Sequence, residues 1–227
     1  MGLLLVGHGS PDPRHAAALQ RLTDRVRLLA PGPVELGFLE HDQPTPAEAA
    51  MRLRLAGADA VTLVPLLLSS GFHAGLDIPK AAAAAERACG LPVAIAGTLG
   101  QHRLIADACR QRVNDEIGPG QLLLAHPGDP NSASAEIAET VAQDLGVPVA
   151  HGLAALARHL EAATADTVVI RLLLADGVLA DRISALCRDA GVDSVGVLAD
   201  APAMAELVLL RAAAAPVPRS SGAPPGS

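Results

Sequence analysis

The sequence predicts an α/β protein made of two similar lobes, each a parallel sheet flanked by helices in the flavodoxin-like strand order. Three observations lead there. Short apolar runs alternate with longer alanine-rich stretches of helical periodicity, the pattern of repeated βα units. The chain also repeats itself weakly: LLLVGHGSPDP at 3–13 is echoed by LLLAHPGDPN at 122–131, and VPLLLSSGFHAGLDI at 64–78 by IRLLLADGVLADRI at 170–183. Between the copies, Gly118-Pro119-Gly120 is a natural break from helix to strand.

Taken in order, the apolar runs predict strands near 2–7, 33–38, 59–65 and 92–97 in the first lobe, then near 121–125, 167–174 and 193–198 in the second. Helices are expected in the gaps, near 13–29, 45–56, 77–89 and 101–117, then 132–145, 152–164, 179–190 and 201–214. Thr45-Pro46 reads as a cap followed by a first-turn proline. The expected domains are 1–118, a shorter and degenerate copy over 119–215, and a tail over 216–227. The second copy lacks a counterpart of FLEHDQPTP. The tail, PVPRSSGAPPGS, is too rich in Pro, Gly and Ser to bury a core and is expected to be disordered.

Composition narrows the function. Half of the 227 residues are hydrophobic, yet Phe38 and Phe72 are the only aromatic side chains, so the core must be built from Leu, Val, Ile and Ala. A formal charge of −7 with a single lysine, Lys80, argues against a nucleic-acid surface, which needs clustered cations. Cys89, Cys109 and Cys187 are odd in number and far apart, which suggests neither a disulfide framework nor a CxxC metal site. No apolar run approaches a membrane span and the start lacks signal-peptide features, so a soluble, cytoplasmic protein with a small partner is expected.

Ligands of open parallel sheets bind outside the carboxyl ends of the strands. His8 follows the first expected strand, Glu40 the second, and His73 the third after a short loop; in a 2-1-3-4 order all three come from neighbouring strands. Two imidazoles and a carboxylate suit a borderline divalent ion such as Fe²⁺, Co²⁺, Ni²⁺ or Zn²⁺, and an imidazole accepts protons near neutral pH. Each residue alone also fits a plain turn: His8 lies between glycines, His73 follows Ser69-Ser70-Gly71, and a glutamate after a strand is usually solvated.

The other histidines read differently. His15, His102 and His159 are expected on helix surfaces, and His41 and His151 in loops. His126 stands at the register of His8 in the second copy, where Leu179 replaces His73, which suggests a copy that kept the scaffold and lost the chemistry. GHGSPD lacks the lysine of a phosphate-binding loop, and neither a Gly-x-Gly-x-x-Gly nor a Gly-x-Ser-x-Gly motif is present in a usable place. Ser10 is expected to be a helix cap or a ligand contact.

LLLVGHGSPDPR, ELGFLEHDQPTP and VTLVPLLLSSGFHAGLDIP, in that order and spacing, resemble the class II sirohydrochlorin chelatases, the CbiX-like enzymes that insert Co²⁺ or Fe²⁺ into a tetrapyrrole. The resemblance reaches to about residue 214. It implies two α/β lobes facing each other across a tetrapyrrole cleft, with His8 and His73 binding metal and removing protons and Glu40 lining the same cleft. It further implies a metal that is substrate rather than prosthetic group, no nucleic-acid or membrane partner, and a monomer or homodimer. For the substrate carboxylates, Arg14, Lys80 and Arg103 are candidates, with Ser10, Ser70 and Gly71 as further contacts. Pro127 departs from the GxGS-type turn, so the second lobe is expected to contribute only a wall. Two other readings stay open, a non-haem iron ring-opening dioxygenase and a non-catalytic carrier of metal or tetrapyrrole. A histidine phosphatase fits poorly, because Gly7 stands where its arginine would be.

Overall fold

A computed structural model describes residues 1–69, 72–118 and 120–217, with the backbone alone for 72–74. The first four strands are β1 (Gly2–Gly7), β2 (Val34–Phe38), β3 (Val61–Pro65) and β4 (Val93–Ile95), alternating with α1 (Pro13–Leu29), α2 (Pro46–Leu55), α3 (Phe72–Cys89) and α4 (Arg103–Glu116). The second four are β5 (Gln121–His126), β6 (Val149–His151), β7 (Thr167–Arg171) and β8 (Asp193–Val195). They alternate with α5 (Ala135–Leu145), α6 (Leu153–Leu160) and α7 (Val178–Asp189), and a short 3₁₀ turn (Leu198–Asp200) leads into α8 (Pro202–Ala213). Each set forms its own parallel sheet, in the orders β2-β1-β3-β4 and β6-β5-β7-β8. The internal repeat is therefore real at the level of strand order.

The first sheet is built around β1, whose six residues are all buried. A parallel strand covered on both faces has no exposed face to mark with polar residues, which is why GLLLVG shows no alternation. Leu4, Val6, Val61 and Leu63 pack with Leu53 of α2 and Ile78 of α3 in an aliphatic cluster, and Phe38 at the end of β2 is buried as well. Helix α2 begins on a full capping box: Thr45 Oγ1 accepts the Glu48 N–H at 3.3 Å, and Glu48 Oε2 accepts the Thr45 N–H at 2.8 Å. Pro46 occupies the first turn, where its missing N–H has no partner to lose. In the second sheet, Leu123, Val169, Leu156 and Ile183 form the corresponding core. Cys89, Cys109 and Cys187 are buried free thiols, and burial pushes Cys109 up to about 12 and Cys187 up to about 11. Among the described residues no helix is long and apolar enough to cross a membrane.

Several elements differ from expectation. Strand β6 was not anticipated, because three residues between Pro148 and Gly152 carry too short an apolar run to stand out; its pairing to β5 makes it a strand. Helix α3 starts at Phe72 rather than near 77, with Pro79 inside it. The ends of β4, β7 and β8 fall earlier than the apolar runs do, and the apolar residues beyond β8 continue into the 3₁₀ turn. The tail expected over 216–227 lies almost wholly outside the described residues.

The break at Gly118 separates the two sheets, but the helices are partitioned differently. One compact unit comprises Met1–Pro11, Thr23–Leu99 and the segment from Val208 onward; the other comprises Asp12–Leu22 and Gly100–Leu207. Helix α4, which precedes the break, packs with α5 over β7 and β8. Glu116 near its end accepts the Gly196 N–H at 2.8 Å beyond β8. The second sheet is thus flanked by α4 and α5 and by the α6–α7 pair.

Candidate functional site

The central strand β1 ends at Gly7, but its pairing with the chain after β2 continues. The Gly7 carbonyl accepts the Leu39 N–H at 3.0 Å, and the His8 carbonyl accepts the Glu40 N–H at 2.9 Å. These bonds set the backbone of His8 beside that of Glu40. Gly9 then lies flat against the second turn with φ +93°, and a Cβ built on it falls 1.8 Å from the Glu40 carbonyl oxygen. Only glycine fits both the dihedral and the space.

Asp42 completes this arrangement and was not singled out from the sequence. Its N–H donates to the Glu40 carbonyl at 2.7 Å, and its Oδ2 accepts the Ser10 N–H at 3.0 Å. The His8-Gly9-Ser10 turn is therefore tied to the Glu40-His41-Asp42 turn at both ends. The HD of FLEHD, two residues past Glu40, was the available signal, since a short acidic side chain after a strand commonly holds a backbone N–H.

His8 is half-buried at the carboxyl end of β1. Its Nδ1 lies 3.3 Å from the Gly9 carbonyl, and since a carbonyl can only accept, this contact favours the Nδ1–H tautomer and puts the lone pair on Nε2. Glu40 is exposed, at 56%, with its Oε2 3.6 Å from His41 Nε2. It lines a shallow cleft of about 270 Å³ with Asp77 and Lys80, and Lys80 Nζ lies 3.7 Å from Asp77 Oδ1. His73 stands on the first turn of α3, just beyond β3, the strand that pairs with β1 on the side away from β2. The backbone thus sets His8, Glu40 and His73 after three adjacent strands. The side chain of His73, and residues Ser70 and Gly71, lie outside what the structure describes.

The remaining cationic candidates are paired. Arg14 donates to Asp181 through Nη1 and Nη2, at 2.9 and 2.7 Å, and to Asp12 through Nε at 3.0 Å; the guanidinium holds both carboxyls below their usual range. Arg103 lies 3.7 Å from Asp107, largely in solvent. His159 stays on its helix surface, but His102 does not: its Nδ1 accepts the Leu104 N–H at 3.2 Å as the N-cap of α4. His15, on α1, is half-buried. Among the described residues no three His, Cys, Asp or Glu side chains converge to hold a metal ion.

The second sheet presents an unexpected cluster at the same edge. His126 and His151 are the last residues of β5 and β6 and pair in register, so His151 is a strand-end residue and not a loop one. Their Nδ1 atoms lie 3.0 Å apart; His126 Nε2 is 2.8 Å from Ser134 Oγ, and His151 Nε2 is 2.8 Å from Glu139 Oε1. Missing β6 hid this pairing.

The CbiX family model matches residues 2–116, which contain His8, Glu40 and His73. The chain belongs to the CbiX family. The sirohydrochlorin cobaltochelatase of Methanosarcina barkeri is 32% identical over 126 residues, covering 52% of this chain and 97% of its own. That of Sulfurisphaera tokodaii is 35% identical over 123 residues, covering 51% of this chain and 93% of its own. These relatives match one CbiX-family half. The two-sheet fold is matched by the sirohydrochlorin chelatase SirB from Bacillus subtilis subspecies spizizenii, solved in complex with cobalt, at TM-score 0.73, 24% identity and 93% coverage of both chains. A CbiX described as the terminal enzyme of siroheme biosynthesis in denitrifying bacteria aligns at TM-score 0.64 and 19% identity, over 92% of this chain and 99% of its own. His126 and His151 fall beyond the segment that the CbiX family model matches.

Proposed function

We propose that this chain is a sirohydrochlorin chelatase that inserts Co²⁺ or Fe²⁺ into the tetrapyrrole, with the chemistry in the first unit. The observation that carries the reading is the strand-end geometry. His8 is pinned beside Glu40, with His73 following the next strand, inside a segment shared with relatives named sirohydrochlorin cobaltochelatase. Insertion exchanges one divalent ion for two pyrrole N–H protons, so the site must hold the ion and accept protons. His8, with its lone pair on Nε2, and His73 serve as ligands and proton acceptors, and Glu40 adds charge that favours a partly dehydrated cation. Lys80, which lines the same cleft as Glu40, is the residue we assign to the substrate carboxylates; Arg14 is already held by two aspartates. Co²⁺ insertion belongs to cobalamin synthesis and Fe²⁺ insertion to sirohaem synthesis, and imidazole and carboxylate ligands do not separate these ions.

Anaerobic incubation with sirohydrochlorin and each of Co²⁺, Fe²⁺ and Ni²⁺, followed by absorbance, tests the proposal. Accelerated conversion with Co²⁺ or Fe²⁺ is expected. Stoichiometric binding without acceleration identifies a carrier instead, and ring cleavage of a catechol by the Fe²⁺ protein with O₂ identifies a dioxygenase.

Asp42 acts on this chemistry through the turn that it ties. Asp42→Ala is expected to lower kcat by about tenfold, equivalent to about 1.4 kcal/mol of barrier, because the Ser10 N–H loses its charged acceptor. Asp42→Asn keeps an acceptor oxygen and is expected to recover most of the rate. Equal losses in both variants contradict a positioning role.

A further inference from the structure

We propose that Glu139, His151, His126 and Ser134 form a one-proton site, an acid–base centre at the carboxyl edge of the second sheet that takes up a single proton and refuses a second. Its residues all belong to the second unit, and none of them has a role in the chemistry proposed for the first. His126 is buried, at 4% exposure, and the turn after β5 packs on its ring: a Cβ on Gly128 falls 2.7 Å from His126 Cε1.

The proton count follows from the contacts. They run Glu139 Oε1 to His151 Nε2 at 2.8 Å, His151 Nδ1 to His126 Nδ1 at 3.0 Å, and His126 Nε2 to Ser134 Oγ at 2.8 Å. They continue from Ser134 Oγ to Ser132 Oγ at 3.1 Å, and from Ser132 Oγ to the Asp129 carbonyl at 2.6 Å. Five contacts need five protons, while two neutral imidazoles and two hydroxyls carry four. One contact is then empty.

A single added proton fills the chain. His151 becomes an imidazolium between Glu139 and His126, donating through both nitrogens. His126 stays neutral, accepts at Nδ1, and donates its Nε2–H to Ser134, which turns its own hydroxyl to Ser132. A second added proton would set two Nδ1–H donors against each other across 3.0 Å. In agreement with this, burial and then the charge of His151 lower His126 from the ordinary imidazole value.

The surroundings single out Glu139 as the counter-ion. Helix α5, which packs on β5 and β6, also carries Glu136 and Asp144, and α6, which packs on β6, carries Arg158 and His159. On β7, Arg171 is turned to the Val195 carbonyl and Ser184. In the turn, Asp129 Oδ1 accepts the Asn131 N–H. Among the described residues only Glu139 forms an ion pair with His151.

Because sheets of this kind bind ligands at their carboxyl edge, the site gives the second unit a proton acceptor there. Its charge state also decides whether all five contacts, the Ser132–Ser134 link in the turn among them, are closed at once.

The test is ¹⁵N-histidine NMR of the full chain across the imidazole range. A scalar coupling between the two Nδ1 nitrogens is expected, with one proton taken up by His151 while His126 stays neutral below the ordinary imidazole range. Absent coupling, with each ring titrating independently at an ordinary value, overturns the proposal. Glu139 is 64% exposed, so Glu139→Gln is expected to fold normally and to shift proton uptake by the pair to lower pH; an unchanged midpoint also overturns it. These readouts need no tetrapyrrole, so they fail or succeed independently of the chelatase reading.

Stability provides a pH signature. The unfolded chain protonates His126 near 6.5 while the folded chain resists, so below that pH the unfolded state binds more protons and folding weakens. The urea midpoint is expected to fall on acidification through this range, and to fall less in His126→Asn.

Discussion

Gly9→Ala is expected to destabilise the protein by more than about 2 kcal/mol and to remove most metal insertion, because two separate costs meet at one residue. The first is conformational: φ is +93°, a region that an L side chain rarely adopts. The second is steric, since the new Cβ would lie 1.8 Å from the Glu40 carbonyl oxygen, which is backbone and cannot swing aside. Relief requires the turn to lift away, and that breaks the bonds fixing His8 beside Glu40. Gly57→Ala separates the two costs, because Gly57 has φ +88° with nothing within 4 Å of a Cβ. It is expected to lose only about 1 kcal/mol and no activity. Urea denaturation and insertion rates of both variants provide the check. If Gly9→Ala behaves like Gly57→Ala, the close packing of the two turns is not what holds His8.

The residues legible in the sequence are those whose position follows from strand ends. His8 and Glu40 could be placed because GLLLVG is a continuous apolar run and VELGF an apolar stretch broken only by Glu35, each giving way to a polar residue, and strand order then made them neighbours. What escaped depended on contacts between segments far apart in the chain. Asp42 matters through the Ser10 N–H, 32 residues away; the HD after the strand marks an acidic turn residue, but nothing local names that partner. His151 went unrecognised with its strand, since a three-residue element bounded by Pro148 and Gly152 leaves no periodicity to count. His102 looked like a surface residue because its role as a cap depends on an extended φ of −156°. Arg14 reads as a free cation until Asp181 is seen 167 positions on.

The partition of the helices teaches the same point at larger scale. Apolar periodicity shows that α4 is amphipathic but not which sheet it covers. Position in the repeat assigns it to the first lobe, whereas its buried side chains, Leu104, Ile105 and Cys109 among them, belong to a helix that packs with α5 on the second sheet. A sequence repeat therefore marks where each sheet begins more reliably than where each compact unit ends.

His8→Ala and His73→Ala are each expected to lower metal insertion at least about tenfold, and up to the 10²–10⁴-fold that a positioned general acid or base contributes. The two losses should not multiply. If both imidazoles hold one ion and share the proton traffic, removing either disables the same step, and the double variant should be little slower than the worse single one. Co²⁺ binding without tetrapyrrole divides the labour: a histidine whose loss abolishes binding is a ligand, and one whose loss spares binding but slows conversion is the proton acceptor. Near-normal rates in both variants would place the chemistry elsewhere.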